Sequence, residues 1–209
     1  IRGFELNEDK LKNIFNEILS IPVDDGVLMR LSKVESIRDE TDYPGIRISI
    51  ESVLDKTRQT MKVDITTGDK ITPRAIEYKF QLLLEDRTIS VLAYNLETIF
   101  AEKLETILSR GTTTTRMRDY YDIYILMELH ESDLNDDVLR EAFIKTSINR
   151  GTFENIKNYS SEYIRSIESS EVLLNLWERY RFNNEYASDI SWEDTVNSMK
   201  RAFSKIKLS

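Results

Sequence analysis

The sequence predicts an α+β protein with a strand-rich front half, residues 1–95, and an all-helical back half, residues 96–209. Two observations carry this reading. From Val27 to Ile65 apolar residues alternate with polar ones, the period of a half-buried strand. From Leu96 onward they recur every three or four residues, the period of a helix face. Composition allows a sizeable core, since 40% of the 209 residues are apolar and only three are proline and six glycine.

The elements follow in order. Asn7 is a helix cap, and Leu11, Ile14, Phe15, Ile18 and Leu19 form one helical stripe as far as Ser20. Pro22 and Gly26 end it. Val27, Met29 and Leu31 open a strand, and Tyr43-Pro44-Gly45 reads as a turn. A second strand alternates Ile46, Ile48 and Ile50 with Arg47, Ser49 and Glu51. A third places Met61, Val63 and Ile65 inward, with Lys62 and Asp64 on the other face. Short apolar runs at 76–84 and 89–92 add one or two more strands. Helices are predicted at 96–108 with a stop at Gly111, at 117–129, 136–148, 153–167, 172–180 and 192–206.

Composition excludes several kinds of chemistry. With no cysteine, the chain forms no disulfide framework, zinc–thiolate site, iron–sulfur cluster or cysteine nucleophile. A single histidine, His130, excludes a two-histidine metalloprotease helix. The net charge of −8 is spread along the chain, with 14 basic and 17 acidic residues in 1–95 and 15 and 20 in 96–209. This argues against a nucleic-acid-coating arm. No apolar run is long enough to cross a membrane and no signal peptide is visible, which fits a cytoplasmic protein.

Three places could carry chemistry. Asp64, on the polar side of a strand, is either a solvated sheet residue or a cation ligand. Lys103, near an apolar helical stripe, either pairs with a carboxylate or offers its ammonium to a phosphate. Asp119 and Asp122 share a helix face, with Arg110, Arg116 and Arg118 around the preceding threonine loop. That group is either an ion-pair network or an anion site at a helix start. His130 reads as a helix-end residue. Lys200, Arg201, Lys205 and Lys207 form a basic face that is solvated or, less simply, contacts RNA. The tyrosines, Trp177 and Trp192 read as packing residues.

Three segments go further than pattern: VDDGV at 23–27, DYPGIRISI…KVDITTGDKITP at 42–73, and YNLETIFAEKLETILSRGTTTTRMRDYYDIYIL at 94–126. Together they resemble the AbiEii/AbiGii toxin family of nucleotidyltransferases, the toxin halves of bacterial abortive-infection toxin–antitoxin systems. The resemblance implies a nucleotidyltransferase-like mixed β-sheet core followed by a helical domain. It implies transfer of a nucleotide from an NTP, with Mg²⁺, to a nucleic-acid acceptor such as a tRNA end, and a cognate antitoxin. It matches Asp64 to a metal-holding strand carboxylate, Lys103 to a triphosphate ligand, and Asp119 and Asp122 to the acidic positions of the last motif. Arg116 would touch phosphate, and Arg118 would orient one of these acids or touch phosphate.

One family feature has no counterpart here. The Gly-rich turn followed by Asp-x-Asp, which supplies two of three metal carboxylates, is not in the sequence. Asp24-Asp25 does not replace it, because adjacent strand residues point to opposite faces. The expectation is therefore twofold: an active toxin whose Asp-x-Asp strand lies upstream of Ile1, or a catalytically incomplete member that binds nucleotide or antitoxin. Absence of that strand would also leave a sheet edge open to self-association.

Overall fold

In the computed structural model, residues 7–38 and 44–208 are described. The chain is α+β, and two compact units divide it, Ile1–Asp69 and Lys70–Ser209. The change from strands to helices falls at residue 95, so the last strand pair belongs to the second unit.

The first unit is a helix laid on a sheet. Helix α1 (Glu8–Leu19) starts where the Asn7 side chain accepts a hydrogen bond from the Lys10 backbone N–H at 3.0 Å. Strands β1 (Leu28–Arg38), β2 (Pro44–Leu54) and β3 (Thr57–Thr66) pair antiparallel in that order. Of the predicted turn at 43–45, Tyr43 lies outside the described residues, while Pro44 and Gly45 open β2. Gly45 is required where it stands, because a Cβ there would lie 2.9 Å from Ile37 across the strand pair. Leu11 of α1 and Ile46, Ile48 and Ile50 of β2 form the buried core, with Phe15, Leu19, Leu31, Val34 and Ile65 packed around it.

One expectation needs correction. Met61, Val63 and Ile65 share a face of β3, but Met61 and Val63 are 39% and 37% exposed. They sit opposite Ile50 and Ile48, which are buried. Period 2 identifies which residues share a face; it does not say whether anything covers that face, and only Ile65 is packed against the α1 core.

The second unit opens with a hairpin of β4 (Ile76–Gln81) and β5 (Thr88–Ala93). Six helices follow: α2 (Leu96–Arg110), α3 (Met117–His130), α4 (Asp136–Asn149), α5 (Phe153–Glu168), α6 (Glu171–Asn183) and α7 (Trp192–Ile206). Each lies within a few residues of its predicted span. The stop at Gly111 is the one read from the sequence, and the structure adds a start signal at the last helix. Gly111 ends α2 at φ +51°, a conformation that disfavours side-chain-bearing residues, and Ser191 and Asp194 form a reciprocal capping box on α7. The core is continuous across all six helices, with Phe100, Leu104, Tyr120, Phe143, Trp177 and Met199 fully buried. A buried polar knot fixes the entry to α2. Asn95 donates to the Thr72 carbonyl at 2.8 Å, and the Thr98 hydroxyl lies 2.6 Å from Asn95 Oδ1. The Thr72 N–H donates to Thr98 Oγ1 at 3.1 Å.

Candidate functional site

Helices α2 and α3 bring together the residues singled out at 103 and 116–122. Lys103 leaves α2 and its ammonium donates to Asp122 Oδ2 at 2.6 Å and to Asp119 Oδ1 at 3.2 Å. The other oxygen of Asp119 accepts from Arg116 Nε at 2.8 Å. Arg118 stands 3.8 Å from Asp122 Oδ1. Asp119 is 4% exposed, so its charge is tolerable only because two cations hold its two oxygens. The local chain makes this possible. The loop after α2 ends where Thr114 Oγ1 accepts the Arg116 N–H at 3.1 Å, and α3 then starts with Arg116, Asp119 and Asp122 at spacings that share one face.

The cluster lines an open concavity of about 520 Å³ with Thr115, Met117 and Tyr180. That volume lies in the range of small-ligand sites. Among the residues that line it, three cations, Lys103, Arg116 and Arg118, meet two carboxylates, Asp119 and Asp122. The guanidinium-bearing side chain of Arg118 is 76% exposed. Lys103 is thus paired with carboxylates, and it also borders the hollow.

Sequence reasoning missed Tyr180. It stacks on the buried Trp177 with ring centroids 5.3 Å apart and planes 22° from parallel. Its hydroxyl meets that of Tyr186 at 3.0 Å. Burial and this hydrogen bond push the Tyr180 phenol above its ordinary range, so it is protonated at neutral pH. Read from its spacing, Tyr180 is a packing residue. Only the approach of α6 to α3 puts it beside the charges.

Asp64 belongs to the first unit. Arg47, directly opposite on β2, grips both its oxygens, Nε to Oδ1 at 2.6 Å and Nη2 to Oδ2 at 2.7 Å. The Arg47 hydrogen bonds hold the Asp64 carboxyl below the usual carboxylate range. A divalent cation needs several such oxygens, and here both are taken. Among the described residues no group of three or more His, Asp or Glu side chains is placed to hold a metal ion. The donor set as it stands does not fit Mg²⁺. Asp24 and Asp25 lie in the bend before β1, where Asp25 Oδ1 accepts the Val27 N–H at 2.9 Å.

The remaining candidates have local roles. His130 Nδ1 lies 2.9 Å from Asp133 Oδ2 at the end of α3. The basic face of α7 is neutralised: Lys200 pairs with Glu168, Arg201 with Glu128 at 2.7 Å, and Lys205 and Lys207 with Asp136 at 3.5 and 3.6 Å. Each of these cations thus has a carboxylate partner on a neighbouring helix or at a helix end. No helix among the described residues is long and apolar enough to cross a membrane.

Fold and site together define a strand-bearing unit and a helical unit with a hollow lined by three cations and two carboxylates. The sequence profile of the AbiEii nucleotidyl transferase toxins, a type IV toxin–antitoxin family, matches residues 3–198. The chain belongs to that family. It is also similar to a solved Helicobacter pylori protein assigned as a nucleotidyltransferase. Identity is 19%, 93% of this chain and 73% of that one are covered, and the TM-score is 0.43. For H. pylori JHP933 the identity is 19%, the coverage 88% and 67%, and the TM-score 0.39. Comparison with curated proteins finds no match.

Proposed function

We propose that the chain carries the triphosphate-binding part of a nucleotidyltransferase toxin, and that the hollow between α2 and α3 is its NTP site. The observation behind this is the Lys103–Asp119–Asp122 cluster with Arg116 and Arg118, five charged side chains on one concave surface. In nucleotidyl transfer an acceptor hydroxyl attacks the α-phosphorus and pyrophosphate leaves, so negative charge builds on the departing oxygens. Lys103, Arg116 and Arg118 would receive that charge, and Asp119 and Asp122 keep the lysine oriented before substrate arrives. The acceptor in this reading is a nucleic acid such as a tRNA end, and an antitoxin counters the product or the toxin. Magnesium in this family's chemistry would neutralise the phosphates. Asp64, both of whose oxygens are held by Arg47, is not given that role in this reading.

The test uses the complete reading frame containing this chain, α-labelled NTPs and total bacterial RNA with Mg²⁺. Label enters RNA with the unaltered protein and not with Lys103→Ala. Labelling by Lys103→Ala at the unaltered rate overturns the assignment.

A second reading is favoured by one observation, the two-oxygen grip of Arg47 on Asp64. In it the chain binds NTP without transferring it, and binding does not depend on Mg²⁺. The exposed apolar residues Met61 and Val63 on β3 also support self-association of the chain. Light scattering that gives a single monomer mass would contradict that.

A further inference from the structure

Tyr180 is held in place before any ligand arrives. One face lies on Trp177, whose Nε1–H donates to the Ile190 carbonyl at 3.0 Å and whose side chain is fully buried. The tip is tied as well. Tyr186 donates its hydroxyl proton to Asn184 Oδ1 at 2.9 Å, so the Tyr180 hydroxyl donates to Tyr186 at 3.0 Å. Tyr186 meets the ring edge-on at 74°, and Tyr121 is tilted from it by 45°. Trp177 is thus the near-parallel neighbour, and the half-buried ring also lines the concavity that holds Lys103, Arg116 and Arg118.

A fixed aromatic ring beside a cationic hollow suits a ligand with one flat apolar end and one polyanionic end. Resting on the NTP-site reading above, we infer that Tyr180 is the nucleobase contact of that site. The base lies against the Tyr180 ring while the triphosphate meets Lys103, Arg116 and Arg118. Because the ring is already ordered by Trp177 and Tyr186, little freedom is lost on binding. Every base has a π face, so this contact adds affinity for all four NTPs and selects weakly among them.

The experiment measures equilibrium binding of each NTP and of inorganic tripolyphosphate to the chain, to Tyr180→Phe, to Tyr180→Leu and to Lys103→Ala. Tyr180→Phe keeps the ring and holds NTP affinity within about threefold. Tyr180→Leu keeps apolar bulk against Trp177 but loses NTP affinity by about tenfold or more, with tripolyphosphate affinity unchanged. Any other pattern in these two variants overturns the inference, including equal loss of both ligands. Lys103→Ala judges the underlying site separately. It weakens both ligands if that reading holds, and tripolyphosphate binding equal to the unaltered chain sinks the phosphate site whatever Tyr180 does.

Discussion

Lys103 Nζ lies 2.6 Å from Asp122 Oδ2, joining the middle of one helix to the first turns of the next. The same ammonium reaches Asp119, so one cation organises two carboxylates that would otherwise repel each other. This contact makes the site a preassembled one, and it also makes Lys103 part of what holds α2 to α3.

Lys103→Ala is therefore predicted to destabilise the helical unit by about 2–3 kcal/mol, since it strips partners from a buried carboxylate. Adding Asp122→Ala should cost less than the sum of the two single changes, because the second change removes a charge that has already lost its closer partner. Urea denaturation of the three variants checks this. Additive losses would mean the pair is not coupled.

A second ion pair is more deeply placed. Arg150 donates to Glu105 Oε2 at 2.6 Å, Thr152 donates to Glu105 Oε1 at 2.8 Å, and Glu105 is 2% exposed. Both carboxylate oxygens are satisfied, and the arginine bridges α2 to the end of α4. Glu105→Ala leaves Arg150 facing a buried gap and is predicted to cost about 3–5 kcal/mol. A loss below 1 kcal/mol in denaturant unfolding would contradict the clamp.

Arg47 and Asp64 make a pH prediction. Asp64 titrates below its ordinary value in the folded state, with the Arg47 hydrogen bonds as the cause. The folded state therefore binds this proton less readily than the unfolded one. The pair's stabilisation is fully present above the unfolded value and is lost as pH falls below about 4, through the depressed folded value. Arg47→Ala should return the Asp64 carboxyl carbon titration, followed by NMR, to the usual carboxylate range. An unchanged titration would mean Arg47 is not its cause.

Burial differs between two neighbours on one face of the sheet. Ile48 is fully buried and its neighbour across the strands, Val63, is 37% exposed. Ile48→Ala is predicted to cost about 2–5 kcal/mol and Val63→Ala about 1 kcal/mol or less. Equal losses would place Val63 in a core.

Much of the fold is legible in the chain because its signals are local. The helices announce themselves by period and, at Asn7 and Gly111, by their ends. The ladder partner of Asp64 follows from a turn that the structure, not the polar stretch at 55–59, defines. Leu54 pairs with Thr57 around Asp55-Lys56, and counting back along both strands from that two-residue connection places Arg47 opposite Asp64. By contrast, Glu105 and Arg150, or Tyr180 and Lys103, meet only when several helices have packed. No spacing in the sequence encodes those meetings. The exposure of Met61 and Val63 was hidden for a related reason: alternation assigns a face, while tertiary packing decides its cover.

The most direct test of the central claim is an NMR titration of the labelled chain with tripolyphosphate, following arginine Nε–H and backbone amide signals. The account predicts saturable shifts of the Arg116 and Arg118 side chains and of the amides from Thr115 to Asp119, with Arg201 unmoved. Shifts confined to Arg201 and its neighbours on α7, or no saturable shift at Arg116 and Arg118, would contradict it.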